Sequence, residues 1–440
     1  MQDLPRVLLG WAEQTSMHRG RTMAKCKLAF IAFDSAKDKH AVAVAEDGRD
    51  GEVRYFGEIE NSADAVNKFV TKLSRRYDRL HFCYEAGPTG YGLHRQLTGL
   101  GHVCDVVAPT MIPKRSGDRV KTNRRDAVML AKLLRAGELS PIWVPDTVHE
   151  AVRDLTRARE TAMLDLRQKR QHLLSFLLRH GRDYPAQKNW TKMHARWLAA
   201  QKFAHPAQQI VFQDQIEAIN AAQIRLADLE QKLREILPTW TMAPVVAAYQ
   251  ALRGVSLLVA TIFVAEVGDV RRFATPQQLM AFLGLVPSER TTGDTVRRGS
   301  ITKTGNRRAR RALIEGAWTY RHPARVSERL QKRIEGLPAA VRTIAWKAQV
   351  RLCARYRRLT SNGKNTAVAA TAVARELSAF MWAIGHQVEL EKRSPGAACV
   401  VTSDGAAGHT GSARQGPPAA GSSRRQRPAG PSTFGAAQAR

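Results

Sequence analysis

The chain predicts an α/β domain on a sheet of mixed direction, then a long helical region, then a mainly α C-terminal part. Three observations predict this. Between Lys27 and Ile59 three apolar runs follow one another with only turn residues between them. From Ser62 to Leu134 helical periods alternate with two further short apolar runs. Beyond Trp143-Val144-Pro145 strand patterning gives way to arginine-rich helical spacing.

Taken in order, Lys27 to Phe33 is an apolar run that stops on Asp34. His40 to Ala45 is a second, and Glu52 to Ile59 a third, with turn chemistry at Asp47-Gly48 and Asp50-Gly51. Short links between successive strands make an antiparallel meander. Ser62 can cap a helix whose apolar positions Ala65, Val66, Phe69, Val70 and Leu73 recur at helical spacing. Leu80 to Tyr84 is a fourth strand, ending on Glu85. Gly87-Pro88-Thr89-Gly90 then turns into a helix through Leu93 and Leu97, without the glycine order of a phosphate cradle. Val103 to Val107 is the fifth strand. A basic loop (Lys114, Arg115, Arg119, Lys121) leads to a helix opened by Asp126 and carrying Val128, Met129, Ala131, Leu133 and Leu134. In such a sheet the first strand is central and the fourth lies beside it.

The helical region has apolar positions at Val152, Leu155, Leu166, Leu173 and Leu177, then from Ile216 to Leu237, stopping at Pro238. It reads as a helical hairpin, with heptads too broken to decide for a coiled coil. Leu252-Arg253-Gly254-Val255-Ser256, followed by apolar Leu257 to Ala265, resembles a helix-hairpin-helix element, with Ser256 where the usual second glycine would stand. Leu330 to Leu377 is again helical, with Ile344, Trp346 and Val350 on one side and Lys347, Arg351 and Arg355 on another. The expected boundaries are an N-terminal extension 1–25, in which Met23 is a candidate start of translation, then 26–142, 143–240 and 241–390. A basic tail, 391–440, is too poor in large apolar residues to fold.

Lysine and arginine number 69 against 39 aspartates and glutamates, a formal charge of +30. A fold so charged repels itself until a polyanion binds, so nucleic acid is the natural partner. The imbalance peaks between Arg297 and Arg325, where nine Lys or Arg face the single Glu315. Arg297, Arg298, Lys303, Arg307 and Arg308 are the candidate phosphate contacts there, with Gly299, Gly305 and Asn306 suited to a loop that approaches a backbone. Five scattered cysteines show no metal-ligand spacing and suit a reducing cytoplasm. The apolar stretch Leu257 to Ala265 is shorter than the ~20 residues of a bilayer crossing, so no membrane is expected.

Asp34 and Glu85 each stand at the carboxyl end of a strand. Asp34 can simply open a turn, but on neighbouring strands both carboxylates project into one crevice. Asp126, set among Lys121, Arg124 and Arg125 where phosphates would approach, can close it. Oxygen ligands without His or Cys favour Mg²⁺ or Mn²⁺, which commonly act on phosphodiesters.

Phe33-Asp34-Ser35-Ala36-Lys37-Asp38-Lys39-His40, Tyr84-Glu85-Ala86-Gly87-Pro88-Thr89-Gly90-Tyr91 and Lys121-Thr122-Asn123-Arg124-Arg125-Asp126-Ala127 resemble the DEDD transposases of insertion-sequence family one-hundred-and-ten. The resemblance implies an RNase H-like N-terminal domain whose four acidic positions fall on Asp34, Glu85, Asn123 and Asp126. Asn123 departs from the pattern: it keeps one neutral acceptor and loses a charge, or it caps the following helix. Phe282 to Gly293 and Arg297 to Arg311 resemble the C-terminal transposase domain of the same family, so the likeness runs from Lys27 to about Ala383. It implies a hydroxyl nucleophile at Thr292, where the family has serine. The extra methyl restricts χ1 and crowds an in-line attack. Ser288 and Ser300 are nearby hydroxyls off the matching position.

The expected activity is therefore that of a recombinase cutting and rejoining DNA in the nucleoid, with a coiled-coil homo-oligomer and a guide RNA from the element as implied partners. The alternatives are an RNase H-like metal-dependent nuclease or resolvase, or a decayed, non-catalytic DNA-binding copy.

Overall fold

A computed structural model of the chain describes residues 27–113 and 122–388. The expectations for the extension 1–25, for Lys114, Arg115, Arg119 and Lys121, and for the tail 391–440 lie outside the described residues. β1 (Leu28–Ser35), β2 (Lys39–Glu46) and β3 (Val53–Glu60) form the antiparallel meander, and Ser62 caps α1 (Ala63–Ser74) as expected. β4 (Arg79–Glu85) pairs parallel to β1. After α2 (Gly92–Gly99), β5 (Val103–Val107) pairs parallel to β4. The strand order is β3-β2-β1-β4-β5, a mixed sheet with β1 at its centre.

Alternation along the strands gives the sheet two different faces. Ile31, Phe33, Phe82 and Tyr84 point to the side covered by Val66, Phe69, Val70 and Leu73 of α1. The other side carries Ala32, Ala41, Ala43, Ala45 and Cys83, against Ala127, Leu130, Ala131 and Leu134 of α3 (Asn123–Arg135). Small residues on both surfaces let α3 lie close against the sheet. Asp126 does not open this helix, and Asn123 is not its cap. Thr122, in extended conformation, accepts from the Arg125 amide, so the helix begins one full turn earlier than its apolar pattern suggests.

Next come α4 (Thr147–Arg179), α5 (Lys192–Ala199) and α6 (Pro206–Ile236). α4 and α6 run antiparallel: Arg159, early in α4, binds Glu230 late in α6, while Phe176 near the end of α4 clusters with Phe203 and with Phe212 near the start of α6. They form a helical hairpin within this chain.

A second core joins α7 (Ala243–Tyr249), α8 (Leu257–Val267), α9 (Pro276–Phe282), α10 (Arg307–Ala317), α12 (Ala339–Ser361) and α13 (Thr366–Gly385), together with Val152 from α4. The short α11 (Glu328–Ile334) lies at its edge. Ser256 caps α8, which gives a role to the residue that departs from the helix-hairpin-helix pattern. Between α9 and α10, where the sequence suggests a loop, β6 (Pro287–Thr292) and β7 (Thr295–Ile301) make an exposed hairpin, so Gly299 belongs to a strand. α13 is long and apolar enough to cross a membrane by length and composition, a candidate the sequence reading passed over. Here it is a core helix, burying Val373, Leu377, Met381 and Ile384 among α7, α9, α10 and α12.

The α9–α10 junction depends on glycine. Gly305 has φ +68°, and a Cβ there would collide with the Phe282 carbonyl oxygen. Gly305→Ala is expected to cost about 2 kcal/mol or more, seen as a lower urea midpoint. An unchanged midpoint would show that this junction yields freely.

Candidate active site

Register brings the first two acids together. Phe33 of β1 lies opposite Tyr84 of the parallel β4, so Asp34 and Glu85 are the next residues along two adjacent strands, at their carboxyl ends. Asp34 pairs with Ala41, and Glu85 with Val107. Ala41 and Val107 both belong to the face beneath α3, so the two carboxylates point to that face.

The direction of α3 brings its first turn to the same place. Its last residue, Arg135, donates to the carbonyls of Glu46 and Gly51, at the far end of the sheet beside the start of β1. The helix therefore runs opposite to β1, and its N-terminal turn, with Asn123 and Asp126, comes over the carboxyl ends of the strands. Tyr55 on β3 ties the two together. The Arg124 guanidinium lies 5.5 Å from its ring centroid, and burial, Glu58 and Asp34 raise its hydroxyl pKa while Arg124 opposes them. Sequence reading missed Tyr55, because nothing in a third strand of alternating residues marks it. Asp34, Glu85 and Asp126 are half-buried and Asn123 is exposed, so the crevice is open to a substrate.

Three carboxylates and an amide offer only oxygen donors, the chemistry a hard divalent cation takes. Among the described residues no group of three or more His, Cys, Asp or Glu gathers closely enough to hold a metal ion unaided. The donor type and the shared face suit such an ion, while the expected three-carboxylate chelate is not preassembled. A site of one or two carboxylates completed by substrate phosphate oxygens and water is the usual form for Mg²⁺.

Thr292 is placed elsewhere. It ends β6, opposite Thr295 across the turn Gly293-Asp294, at the exposed tip of the hairpin. β6 and β7 make extensive contact with each other rather than with β1, β4 or α3. The structure thus sets Asp34 beside Glu85 at the strand ends, with the first turn of α3 (Asn123, Asp126) over the same end of the sheet, and leaves Thr292 on a separate projection. Ser288 sits at a bulge in β6, its hydroxyl against Gly299.

The basic candidates divide. Arg124, Arg125, Arg297, Arg307 and Lys303 are exposed, with Lys303 in the left-handed region at φ 57°. Arg298 pairs across the hairpin with Glu289 at 3.1 Å. Arg308 is bound to Glu160 of α4, which also draws Arg311 to 3.6 Å. Arg310, not singled out from sequence, is buried and donates to the carbonyls of Leu283 and Thr304, holding the loop before α10.

Behind that loop lies a buried polar knot. Asn306 caps α10 through the amides of Arg308 and Ala309 and donates to Glu266 at 2.7 Å. Glu266, at the end of α8, accepts both Nε and Nη2 of Arg157 from α4, at 2.8 and 2.9 Å. Burial pushes its carboxyl up, but the bonds from Arg157 and Asn306 prevail and hold it below its ordinary value. Nearby, His149 of α4 stands between Trp143 and Trp240 and bonds the Ala265 carbonyl at 3.0 Å. Glu150, beside it, is paired with Arg95 of α2.

A mixed sheet with acids at the carboxyl ends of two central strands, followed by a mainly helical part rich in arginine, suits the class of nucleic-acid phosphoryl-transfer enzymes. Comparisons with known proteins narrow it. Residues 31–181 match the DEDD transposase family model of the IS110 group, and residues 247–331 match the family described as Transposase IS116/IS110/IS902. The chain is 52% identical over 382 residues to "Putative transposase y4qE" of Sinorhizobium fredii, covering 87% of this chain and 95% of that one. It is 33% identical over 316 residues to the transposase for insertion sequence element IS1533 of Leptospira borgpetersenii, covering 70% and 90%. The chain belongs to the IS110 family of insertion-sequence transposases. It is a DNA transposase, a phosphoryl-transfer enzyme of the DEDD type, for which DNA binding and a divalent metal follow from the family.

Proposed function

We propose that the chain cuts and rejoins DNA at the ends of its own element by transesterification. The observation that carries the reading is the convergence of Asp34 and Glu85, on adjacent parallel strands, beneath the first turn of α3 with Asn123 and Asp126. In this reading 26–142 is an RNase H-like domain, 143–240 a coiled-coil dimerisation arm, and 241–390 a transposase domain with a helix-hairpin-helix element. Asp34, Glu85 and Asp126, completed by substrate phosphate oxygens, would hold Mg²⁺ or Mn²⁺, which when bound would polarise the scissile phosphate and offset charge on the leaving oxygen.

Thr292 is the nucleophile. Its Oγ1 bonds to phosphorus as the bond from phosphorus to the leaving nucleotide oxygen breaks, its proton passes to solvent, and the leaving oxygen is protonated. Attack by a second strand's hydroxyl on the threonyl ester rejoins the DNA and frees Thr292. Because Thr292 stands on an exposed hairpin, it reaches the acids by movement of that hairpin or from a second protomer. Arg297, Arg298, Lys303, Arg307 and Arg308, with Lys121, Arg124 and Arg125, neutralise phosphates. A structured RNA transcribed from the element's flank guides the choice of site, and the protein works on the nucleoid in the cytoplasm.

Element-end DNA incubated with Mg²⁺ and the flanking transcript, then run on a denaturing gel, is expected to yield a protein–DNA adduct. Thr292→Ala should abolish the adduct while Ser288→Ala retains it. Free cleaved ends without adduct would instead identify water as the nucleophile and a nuclease or resolvase as the activity, and full yield without the transcript would remove the guide.

A further inference from the structure

Far along the chain from the acids, where α7 turns into α8, Arg253 and Gly254 form one side of a surface cleft of about 220 Å³. The other side is the segment leading into α11, with Arg325, Ser327, Arg329 and Arg333. Both sides rest on fixed structure. Arg253 donates to the Pro323 carbonyl at 2.7 Å, and the Arg325 carbonyl accepts from the buried Gln349 at 2.6 Å. Gly254, at φ +79°, is pressed so closely on the Gly316 carbonyl that no side chain fits. The Ser327 oxygen accepts from the Leu330 amide, which leaves its own proton to donate.

Four arginines thus line one small cleft. No carboxylate lines it, and none of the four is held in an ion pair among the described residues. The nearest acid in sequence, Glu328, pairs with Lys332 at 2.9 Å. Burial and the neighbouring Arg329 both push the Arg333 pKa down, as expected where like charges crowd without a counter-ion. The volume is below the roughly 300–1,000 Å³ of organic-ligand pockets. A tetrahedral oxyanion is small enough for the space and meets the planar forks of arginine bidentately.

The geometry points to a seat for one backbone phosphate of a polynucleotide in this cleft, gripped by Arg253, Arg325, Arg329 and Arg333. This rests on the chain being a nucleic-acid enzyme but not on its cleavage chemistry. A strand anchored here is held on the C-terminal core, independently of the carboxylates on β1 and β4.

The test is the salt dependence of binding by the full chain in EDTA, with a labelled DNA duplex in one arm and a single-stranded RNA of equal length in the other. For Arg329→Ala/Arg333→Ala, the slope of log K against log salt should fall by about 0.9 in the duplex arm or about 0.7 in the single-strand arm, whichever strand occupies the cleft. The matched charge loss Arg342→Ala/Lys364→Ala should leave both slopes unchanged. Inorganic phosphate should raise the melting temperature of the parent chain and raise that of the cleft variant less. Unchanged slopes in both arms, or an equal fall in the matched control, would overturn the assignment. Divalent ions are withheld throughout, so a failure of the cleavage chemistry leaves these slopes untouched.

Discussion

Asparagine in place of Asp34 is expected to slow strand cleavage and transfer at element ends by about a thousandfold or more while leaving the fold intact. The change is nearly isosteric and sits at the half-buried end of β1, outside the apolar core. It removes one of three charges that would hold the cation, at a position where Asn123 already supplies a neutral oxygen in place of a fourth. Metal stabilisation of a phosphoryl transition state is worth several kcal/mol, and each ~1.4 kcal/mol is tenfold in rate. Losing about 4 kcal/mol gives the thousandfold figure. Single-turnover cleavage, with circular dichroism as the check on folding, reads the result. A variant within tenfold of the parent rate would remove Asp34 from the site and, with it, the proposed role of the sheet's carboxyl edge.

The second large effect is on stability. The Glu266 side chain is 1% exposed and gathers Arg157 and Asn306, so one carboxylate joins α8, α4 and the cap of α10. Glu266→Gln leaves Arg157 without its counter-charge and is expected to cost about 3 kcal/mol. The pH dependence follows from the lowered carboxyl pKa. A carboxylate held below its ordinary value stabilises the fold fully above that value, 4.5, and loses the contribution as pH falls through the folded value. The gap in urea midpoint between parent and variant should therefore be constant at neutral pH and narrow on acidification below about 4.5. A gap that widened in acid would mean that the buried carboxyl is neutral in the folded chain.

Much of the N-terminal part was legible because the code there is simple. Period-two apolar runs, turns between them and acids at the strand ends define which strands exist, and β1 at the centre brings Asp34 beside Glu85. What was not legible depended on one-residue choices or on tertiary contact. The start of α3 was misread at Asp126 because its apolar positions begin only after that residue, and only the extended backbone at Thr122 marks the cap. The β6–β7 hairpin escaped because its strands are exposed on both faces and rich in Thr and Arg, so no apolar alternation marks them; backbone pairing alone defines it. Arg308 and Arg310 look alike in a run of arginines, yet one pairs with Glu160 and the other is buried on two carbonyls. How closely the acids gather was beyond sequence too, since side-chain rotamers set that spacing, not the register.

The 33 residues of α4 run unbroken for about 50 Å. Along this one rod are fastened, in turn, the sheet domain through Glu150, the C-terminal core through His149 and Arg157, the basic end of α10 through Glu160, and the distal hairpin through Arg159 and Phe176. A shift of α4 therefore disturbs all of these fastenings together. Among the described residues, one helix thereby serves as the common attachment of sheet, core and hairpin.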